Sequence, residues 1–190
     1  SSPASSGSPA SSPAPSASSN TGPQNVDVRN FNNDIQAALD SIKQTGGSVY
    51  LPERTYQVTK KIRLFSNTTL FGDGIDKTRI EAISGLSATD SVIGNDSNAG
   101  QTNVVLRDMT VVGNGNSDVI RLRNLNKGFI YKVKAENATT GIFLGFQNDK
   151  GVNNFRISEC QVNRTRENGI LMTMGENNVI DKCSMDAECS

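Results

Sequence analysis

The chain carries the stretch Asn103-Val104-Val105-Leu106-Arg107-Asp108-Met109-Thr110-Val111, in which apolar residues alternate with polar ones. The same hydrophobic pattern returns in residues 129–135, 155–162 and 179–185. The residues at the matching position are Leu106, Ile130, Ile157 and Ile180, at intervals of 24, 27 and 23. Self-similarity at a nearly fixed period indicates a repeat architecture, in which each repeat covers the apolar face of its neighbour.

A second set of matching positions lies further along each repeat. Its members are Val92-Ile93, Val119-Ile120, Gly141-Ile142 and Gly169-Ile170. Two sets predict two short strands per repeat, because apolar residues alternate with polar ones and no helical pattern fits between them. The pattern therefore predicts an all-β fold, a right-handed parallel β-helix whose strands stack around one apolar interior. A β-sandwich would explain the strands but not the stacked positions.

The segments between the predicted strands are rich in asparagine and glycine. Two of them are Asn114-Gly115-Asn116 and Glu167-Asn168-Gly169. Asn and Gly tolerate the positive φ that a sharp bend requires, so we expect both segments to form corners of the β-helix.

One helical pattern precedes the repeats. Its apolar residues, at i, i+3, i+4 and i+7, are Ile35, Ala38, Leu39 and Ile42. We expect Asn32 or Asn33 to be the N-cap and Gly46-Gly47 to end the helix. A β-helix exposes the backbone and core of its first turn unless something covers them, so this short α-helix is predicted to be an N-terminal cap.

Composition divides the chain into two parts. Residues 1–23 contain no charged, aromatic or large aliphatic side chain, so they have little surface to bury and are predicted to be a disordered Ser/Pro/Ala-rich linker. Residues 24–190 are predicted to be the N-terminal part of one β-helix domain. Such linkers are common between secreted modules, so we expect a secreted or cell-surface protein. The 19 basic and 19 acidic residues cancel, and no segment is apolar enough to span a bilayer, so neither a nucleic-acid partner nor a membrane span is expected.

Four short segments of the chain follow one another in an order that is typical of a known protein superfamily. They are residues 35–40 (IQAALD), 46–52 (GGSVYLP), 56–58 (YQV) and 66–74 (SNTTLFGDG). In this the chain resembles the opening of β-helices of the pectate-lyase (pectin-lyase-like) superfamily, although Glu53-Arg54 replaces the usual Ala-Gly at a turn. The resemblance implies a right-handed parallel β-helix that acts on or binds polysaccharides, as pectate lyases, polygalacturonases, alginate epimerases and phage tailspikes do. An acidic, uronate-containing polysaccharide is therefore the expected partner.

The chemistry open to the chain is limited because it contains no histidine. In epimerase-like members a strand that begins with Gly-Phe continues into an Asp-Pro-His-Glu cluster, and residues 141–146 and 169–174 carry no acid or histidine there. A polygalacturonase-like hydrolase would need a cluster of aspartates, and no strand has an Asp-Asp pair. A lyase would need calcium held by carboxylates, with Arg or Lys as the base, so calcium is a cofactor that the resemblance allows although none is evident. Asp149 and Glu167 lie in turns one repeat apart and would approach each other if their loops fold alike; otherwise both are solvated charges.

Two arginines are the strongest indication of an anionic ligand. Arg121 and Arg123 alternate with Ile120 and Leu122, so both guanidinium groups should face outward on one strand and could bind sugar carboxylates. The alternative is that nearby acids pair with them. Phe143 and Leu171 take the corresponding outward position on later repeats and could stack on a sugar ring or lie under a loop. Lys132 and Lys134 are expected to face solvent on a different sheet.

Cys160 and Cys183 occupy equivalent positions one repeat apart, which leaves open a disulfide or two buried free thiols. Cys189 is left without an equivalent partner, and no Cys-x-x-Cys or comparable ligand spacing supports a zinc site.

Two hypotheses about function remain. The first is a polysaccharide-active enzyme, a lyase, hydrolase or epimerase, whose catalytic residues lie mostly outside the segment. The second is a non-catalytic carbohydrate-binding or structural β-helix, like an adhesin or tailspike. The last repeat is expected to stop part-way, which would leave Ile180 and Met185 uncovered and would make the chain marginally stable or prone to associate through that end.

Overall fold

The computed structural model describes residues 22–95, 100–146 and 149–186. The predicted linker, residues 1–23, lies outside this part of the chain except for its last two residues. The elements are a 3-10 helix Val28–Phe31, α1 Ile35–Ser41, and the strands β1 Gln24–Asp27, β2 Gly47–Leu51, β3 Arg54–Val58, β4 Ile62–Leu64, β5 Thr68–Gly72, β6 Thr78–Ala82, β7 Ser91–Asn95, β8 Gln101–Val112, β9 Asp118–Leu122, β10 Leu125–Leu144, β11 Val152–Ser158, β12 Gln161–Met172, β13 Val179–Asp181 and β14 Ser184–Asp186. None of the helices in the described residues is long and apolar enough to cross a membrane.

The strands coil into three parallel sheets, which confirms the predicted β-helix. Sheet 1 contains β1, β2, β5, the first parts of β8 and β10, β11 and β13. Sheet 2 contains β3, β6, the last part of β8, the middle of β10, the first part of β12, and β14. Sheet 3 contains β4, β7, β9 and the ends of β10 and β12. The prediction of two strands per repeat is therefore wrong, since each full turn has three.

The predicted interior positions are confirmed by the strand register. In sheet 1, Ile130 pairs with Leu106 on one side and Ile157 on the other, and Ile157 pairs with Ile180. Leu70, Val49 and Val26 continue this interior column back to the first turn. In sheet 3 the second predicted set stacks in the same way, as Ile93, Ile120, Ile142 and Ile170. Each column is a continuous apolar contact along the β-helix.

The third strand of each turn gives no separate signal in the sequence, because the corner between sheets 1 and 2 is only one residue long. The residues at this corner in four successive turns all have φ between 48° and 57°, and they are Asp108, Lys132, Glu159 and Lys182. A single left-handed residue bends the strand without a break in the polar–apolar alternation. Of the predicted corners, Gly115 has the expected positive φ of 80°. The other, residues 167–169, is wrong, because it lies within β12 and none of its residues has positive φ.

Helix α1 covers the first turn as predicted, with Ile35, Ala38, Leu39 and Ile42 all buried. The N-cap is Asp34, whose Oδ1 accepts a hydrogen bond from Ala37 N at 3.0 Å, and not Asn32 or Asn33. These two asparagines instead take positive φ just before it. The helix also ends at Ser41, before Gly46-Gly47. At the other end of the described residues, Ile180 and Met185 are 45% and 58% exposed.

Candidate functional site

The outer face of sheet 3 carries the residues that the sequence indicated. Ile120 and Leu122 are fully buried, so Arg121 between them points outward. In register, Arg121 lies between Gly94 on the preceding turn and Phe143 on the following one, and Phe143 pairs with Leu171. The predicted correspondence of Phe143 and Leu171 with the arginine-bearing strand is confirmed. The outward position of sheet 3 therefore forms one row along the β-helix.

Arg121 is held by protein groups on its own side of the sheet. Its Nε and Nη2 each lie 2.6 Å from Asp118 Oδ2, and its Nη1 donates to the carbonyl oxygen of Thr89 at 2.5 Å. The guanidinium is also 5.5 Å from the centre of the Phe143 ring. The alternative that nearby acids would pair with the arginines is thus what the structure shows for Arg121.

Arg123 is paired as well, and its partner is the predicted site residue Asp149. The two oxygens of Asp149 accept bonds from Arg123 Nε at 2.5 Å and from Nη2 at 3.0 Å. The Asp149 side chain is only 10% exposed. A two-bond pair of this kind fixes the plane of the guanidinium. The sequence placed both residues in the candidate site but did not predict that they bind each other.

Two phenylalanines complete this group. Arg123 lies over the Phe146 ring, 4.4 Å from its centre, and the Phe146 and Phe143 rings are 5.9 Å apart. Phe146 is 39% exposed, so part of its ring is open to solvent. We call Asp118, Arg121, Arg123, Phe143, Phe146 and Asp149 the sheet-3 cluster. Phe146 follows the strand, outside the alternating pattern, which is why sequence reasoning missed it.

Asp118 is the other member that was missed, because it stands alone at the start of β9. Its side chain is 3% exposed, and burial raises its pKa above the ordinary value of 3.8 although Arg121 acts in the opposite direction. The charge of Glu167 raises it further. A carboxyl with a raised pKa beside a candidate binding face is a candidate proton donor.

The expected approach of Asp149 and Glu167 does not occur. Thr140, at the start of the sheet-3 part of β10, pairs with Asn168, next to Glu167. Asp149 follows the opposite end of that strand, beyond Leu144. The two carboxylates therefore lie at opposite ends of sheet 3, and Glu167 influences Asp118 instead.

A basic cleft of about 1050 Å³ lies at the other end of the row, between α1 and the turn from β3 to β4. Arg63, which lines it, pairs with Gly94, the neighbour of Arg121. The charged residues of the cleft are Lys43, Arg54, Lys60, Lys61 and Arg63 against Asp34, Asp40 and Asp90, an excess of two positive charges. The cleft and the sheet-3 cluster thus share one face. At about 4.8 Å per turn, the row from Arg63 to Leu171 is about 19 Å long.

The two lysines expected on another sheet lie at and just after the corner into sheet 2. Lys132 is a corner residue, 3.8 Å from Glu159. Lys134 Nζ lies 2.7 Å from Glu136, a nearly buried acid that also pairs with Arg79 at 3.2 Å and Arg164 at 3.5 Å. Burial alone would raise the pKa of Glu136, but these three cations lower it overall. The arrangement is a structural ion-pair network on the side of sheet 2.

The arrangement of the donor groups limits metal and thiol chemistry. In the described residues no three His, Cys, Asp or Glu side chains are grouped closely enough to hold a metal ion. The carboxylates proposed for calcium do not fit it, since Asp149 is bound to Arg123 and Glu167 lies at the other end of the sheet. Cys160 and Cys183 lie one turn apart as predicted, and of the two alternatives the structure shows free thiols, with Cys160 buried and Cys183 half-buried. Burial raises the pKa of Cys160 to about 12.

Comparison with known proteins gives one family. The model of the family described as "Rhamnogalacturonase A/epimerase, pectate lyase-like" matches residues 20–188. The pre-neck appendage protein of Bacillus phage B103 is 35% identical over 82 residues, which are 43% of this chain and 9% of that protein.

Two solved structures show the same fold. ORF18 of Geobacillus virus E2 is 20% identical with a TM-score of 0.59, over 87% of this chain and 43% of the viral one. An iota-carrageenase in complex with iota-carrageenan fragments is 16% identical with a TM-score of 0.69, over 85% of this chain and 41% of the carrageenase. The chain therefore spans less than half the length of these similar structures.

Proposed function

The chain belongs to the rhamnogalacturonase A/epimerase, pectate-lyase-like family, and from this membership together with the face of sheet 3 we propose that it binds an acidic polysaccharide there. The observation that carries the proposal is the continuous row from the basic cleft to the sheet-3 cluster. An extended glycan would lie parallel to the β-helix axis. Binding outside the cell or at a surface is part of the proposal.

Charge favours an acidic ligand over a neutral one. The cleft has an excess of two positive charges, whereas the whole chain is neutral, so cations are concentrated on this face. Carboxylate or sulfate groups would bind the cations of the cleft. In the sheet-3 cluster, Asp118 and Asp149 hold the guanidinium groups of Arg121 and Arg123 in fixed positions. Pre-positioned side chains lose less conformational entropy when a ligand binds.

The aromatic rings supply the second element of sugar recognition. A pyranose ring has an apolar face, and Phe146 has a partly exposed ring that packs against Arg123. Stacking there would orient the sugar, while the cleft would bind its anionic groups. The proposal assigns Phe146 to this role in addition to the predicted Phe143.

For a chemical step, the groups to test are Asp118 and Glu167. Asp118 has a raised pKa and Glu167 is the carboxylate whose charge acts on it. Hydrolysis of a glycosidic bond needs one carboxyl that donates a proton and a second carboxylate. Asp118→Asn and Glu167→Gln should each abolish any new reducing ends or unsaturated uronates that the wild type produces.

The binding proposal is tested by calorimetric titration with oligogalacturonate, iota-carrageenan oligosaccharides and neutral cellohexaose, at low and high salt. We expect Lys60→Ala combined with Phe146→Ala to weaken binding of the acidic probes about tenfold or more, and high salt to weaken the wild type similarly. Lys77→Ala, an exposed cation outside the cleft, is the matched control. The proposal is refuted if high salt does not weaken binding of the acidic probes, or if the salt-sensitive part of that binding keeps its wild-type affinity in the double variant.

A second candidate is a non-catalytic part of a phage appendage. The match to the pre-neck appendage protein supports it, although it covers a small part of that protein. Specific binding of an acidic glycan with no product after long incubation would favour this role over an enzyme.

A further inference from the structure

Sheet 1 has its own outward row of aromatic and cationic side chains. Successive turns place Tyr50, Phe71, Arg107 and Tyr131 in register. Phe129 lies two residues before Tyr131 on the same face. Four of the ten Phe and Tyr residues of the chain are thus on this face. We call these five residues the sheet-1 strip.

The strip is rigid. The Tyr50 and Phe71 rings stack with centres 5.3 Å apart, and Arg107 lies 4.4 Å from the centre of Phe71. Phe129 and Tyr131 stack at 5.3 Å. The Tyr50 hydroxyl donates to Asp73 Oδ1 at 2.8 Å, which fixes the ring. All five side chains are half-buried, so the edges of the stacked rings are open to solvent.

A row of small polar side chains runs beside the rings. Asn25, Ser48 and Thr69 occupy the neighbouring outward position on the first three turns. Together with Tyr50, Phe71 and Arg107 they line a hollow of about 400 Å³. This is within the size range of small-ligand sites, about 300–1,000 Å³. Rings next to hydroxyl and amide groups match a sugar, which has an apolar face and a hydroxylated edge.

The dimensions argue against a protein partner. From Tyr50 to Tyr131 the strip spans three turns, about 14 Å, and it is about two residues, or roughly 7 Å, wide. Even with side-chain edges it offers on the order of 200 Å², far less than the roughly 800 Å² per partner of a stable interface. A single extended chain is a better fit to such a narrow surface.

We propose that the sheet-1 strip is a second glycan-binding surface, separate from sheet 3, that recognises a saccharide chain by apolar contact with the ring edges and by hydrogen bonds to the neighbouring hydroxyl and amide groups, and not by charge. The cation of the strip supports this distinction, since Arg107 is neutralised by Asp108 at 2.5 Å. Binding at the strip is therefore insensitive to salt, unlike binding in the basic cleft. The inference goes beyond the proposed function, because it does not require the sheet-3 face to bind anything.

Tyrosine fluorescence gives a local measurement. The chain has no Trp and three Tyr residues, of which Tyr50 and Tyr131 are on the strip and Tyr56 is buried. We expect cellohexaose or oligogalacturonate to change the tyrosine emission at high salt, where binding to the basic cleft is screened. Phe71→Ala should weaken this binding about tenfold or more, with circular dichroism and Tm unchanged. Tyr131→Ala should do the same in calorimetry.

Ile83→Ala, which removes an exposed apolar side chain outside the strip, is the matched control. The proposal is overturned if none of these probes alters the emission of the wild type, or if Phe71→Ala binds as tightly as the wild type. It is also overturned if sedimentation shows self-association that Phe71→Ala abolishes, because the strip would then be an interface between copies. Loss of binding only in Lys60→Ala would leave sheet 3 as the sole glycan site.

Discussion

Arg123 and Asp149 bind each other through two hydrogen bonds, at 2.5 and 3.0 Å, across the end of sheet 3. Both side chains are largely removed from solvent. Loss of either partner leaves the other as an unpaired charge, which costs more than the pair itself contributes. We expect Arg123→Ala and Asp149→Ala each to lower the free energy of unfolding by about 1–3 kcal/mol. The double variant should be more stable than the sum of the two effects predicts, as measured by urea unfolding; additive losses would show that the side chains do not interact.

Asp118 should make stability depend on pH. Because burial raises its pKa in the folded protein above 3.8, the folded state holds this proton more tightly than the unfolded state does. The sign of linkage then requires that the contribution of Asp118 to stability falls as pH rises above 3.8. We expect the stability of the wild type relative to Asp118→Asn to decrease over that range in unfolding titrations. A difference that increases with pH would mean that Arg121 outweighs burial.

The cap helix should be necessary for the first turn. Leu39, on the inner side of α1, is fully buried, and Leu39→Ala should lower the free energy of unfolding by about 2–5 kcal/mol. Leu39→Asp should cost more, because it places a charge in the interior without a partner. Asp40→Ala, on the exposed side of the helix, is the control and should change stability by less than about 0.5 kcal/mol. Wild-type stability of Leu39→Asp in thermal unfolding would show that α1 does not cover the core.

Alanine substitutions at equivalent interior positions should lower the free energy of unfolding by different amounts along the column. Ile157 is fully buried between two turns, whereas its register partner Ile180 is 45% exposed. Ile157→Ala should therefore cost about 2–5 kcal/mol, and Ile180→Ala clearly less. Equal losses in denaturant unfolding would indicate that Ile180 is covered in solution, for example by a second molecule, which sedimentation would detect.

The two thiols should react at very different rates. The high pKa of Cys160 keeps it protonated, and it is buried, whereas Cys183 is half-exposed. In a Cys189→Ser background, a thiol reagent such as DTNB should label Cys183 quickly and Cys160 only after unfolding. If neither thiol reacted before reduction, the two would be joined by a disulfide, contrary to the structure.

The sequence predicted the interior of the fold better than its surface. Leu106, Ile130, Ile157 and Ile180 were found because an interior column allows only apolar residues at a nearly constant interval. The earlier members were missed because 36 residues separate Leu70 from Leu106, so the period is lost. Sheet 2 was missed because single residues such as Lys132 and Glu159 form its corners, and neither residue type signals a bend.

The site was predicted only in part for a similar reason. Strand alternation correctly placed Arg121 outward and Phe143 next to it. It could not show that Asp149 reaches Arg123, because their contact depends on how a loop folds back. Asp118 and Phe146 carried no pattern at all. Side chains brought together by loops and strand ends have no periodic signal in the sequence.

The stacked register also determines how the molecule would respond to force. Each turn is bonded only to the turns directly above and below it, for example Ile130 to Leu106 and Ile157. Tension applied along the axis would therefore break the hydrogen bonds of one turn at a time, starting from an end. Tension across the axis would load many strand pairs at once. A β-helix of this kind should therefore unfold at low force when it is pulled along its axis and resist a higher force when it is pulled across it.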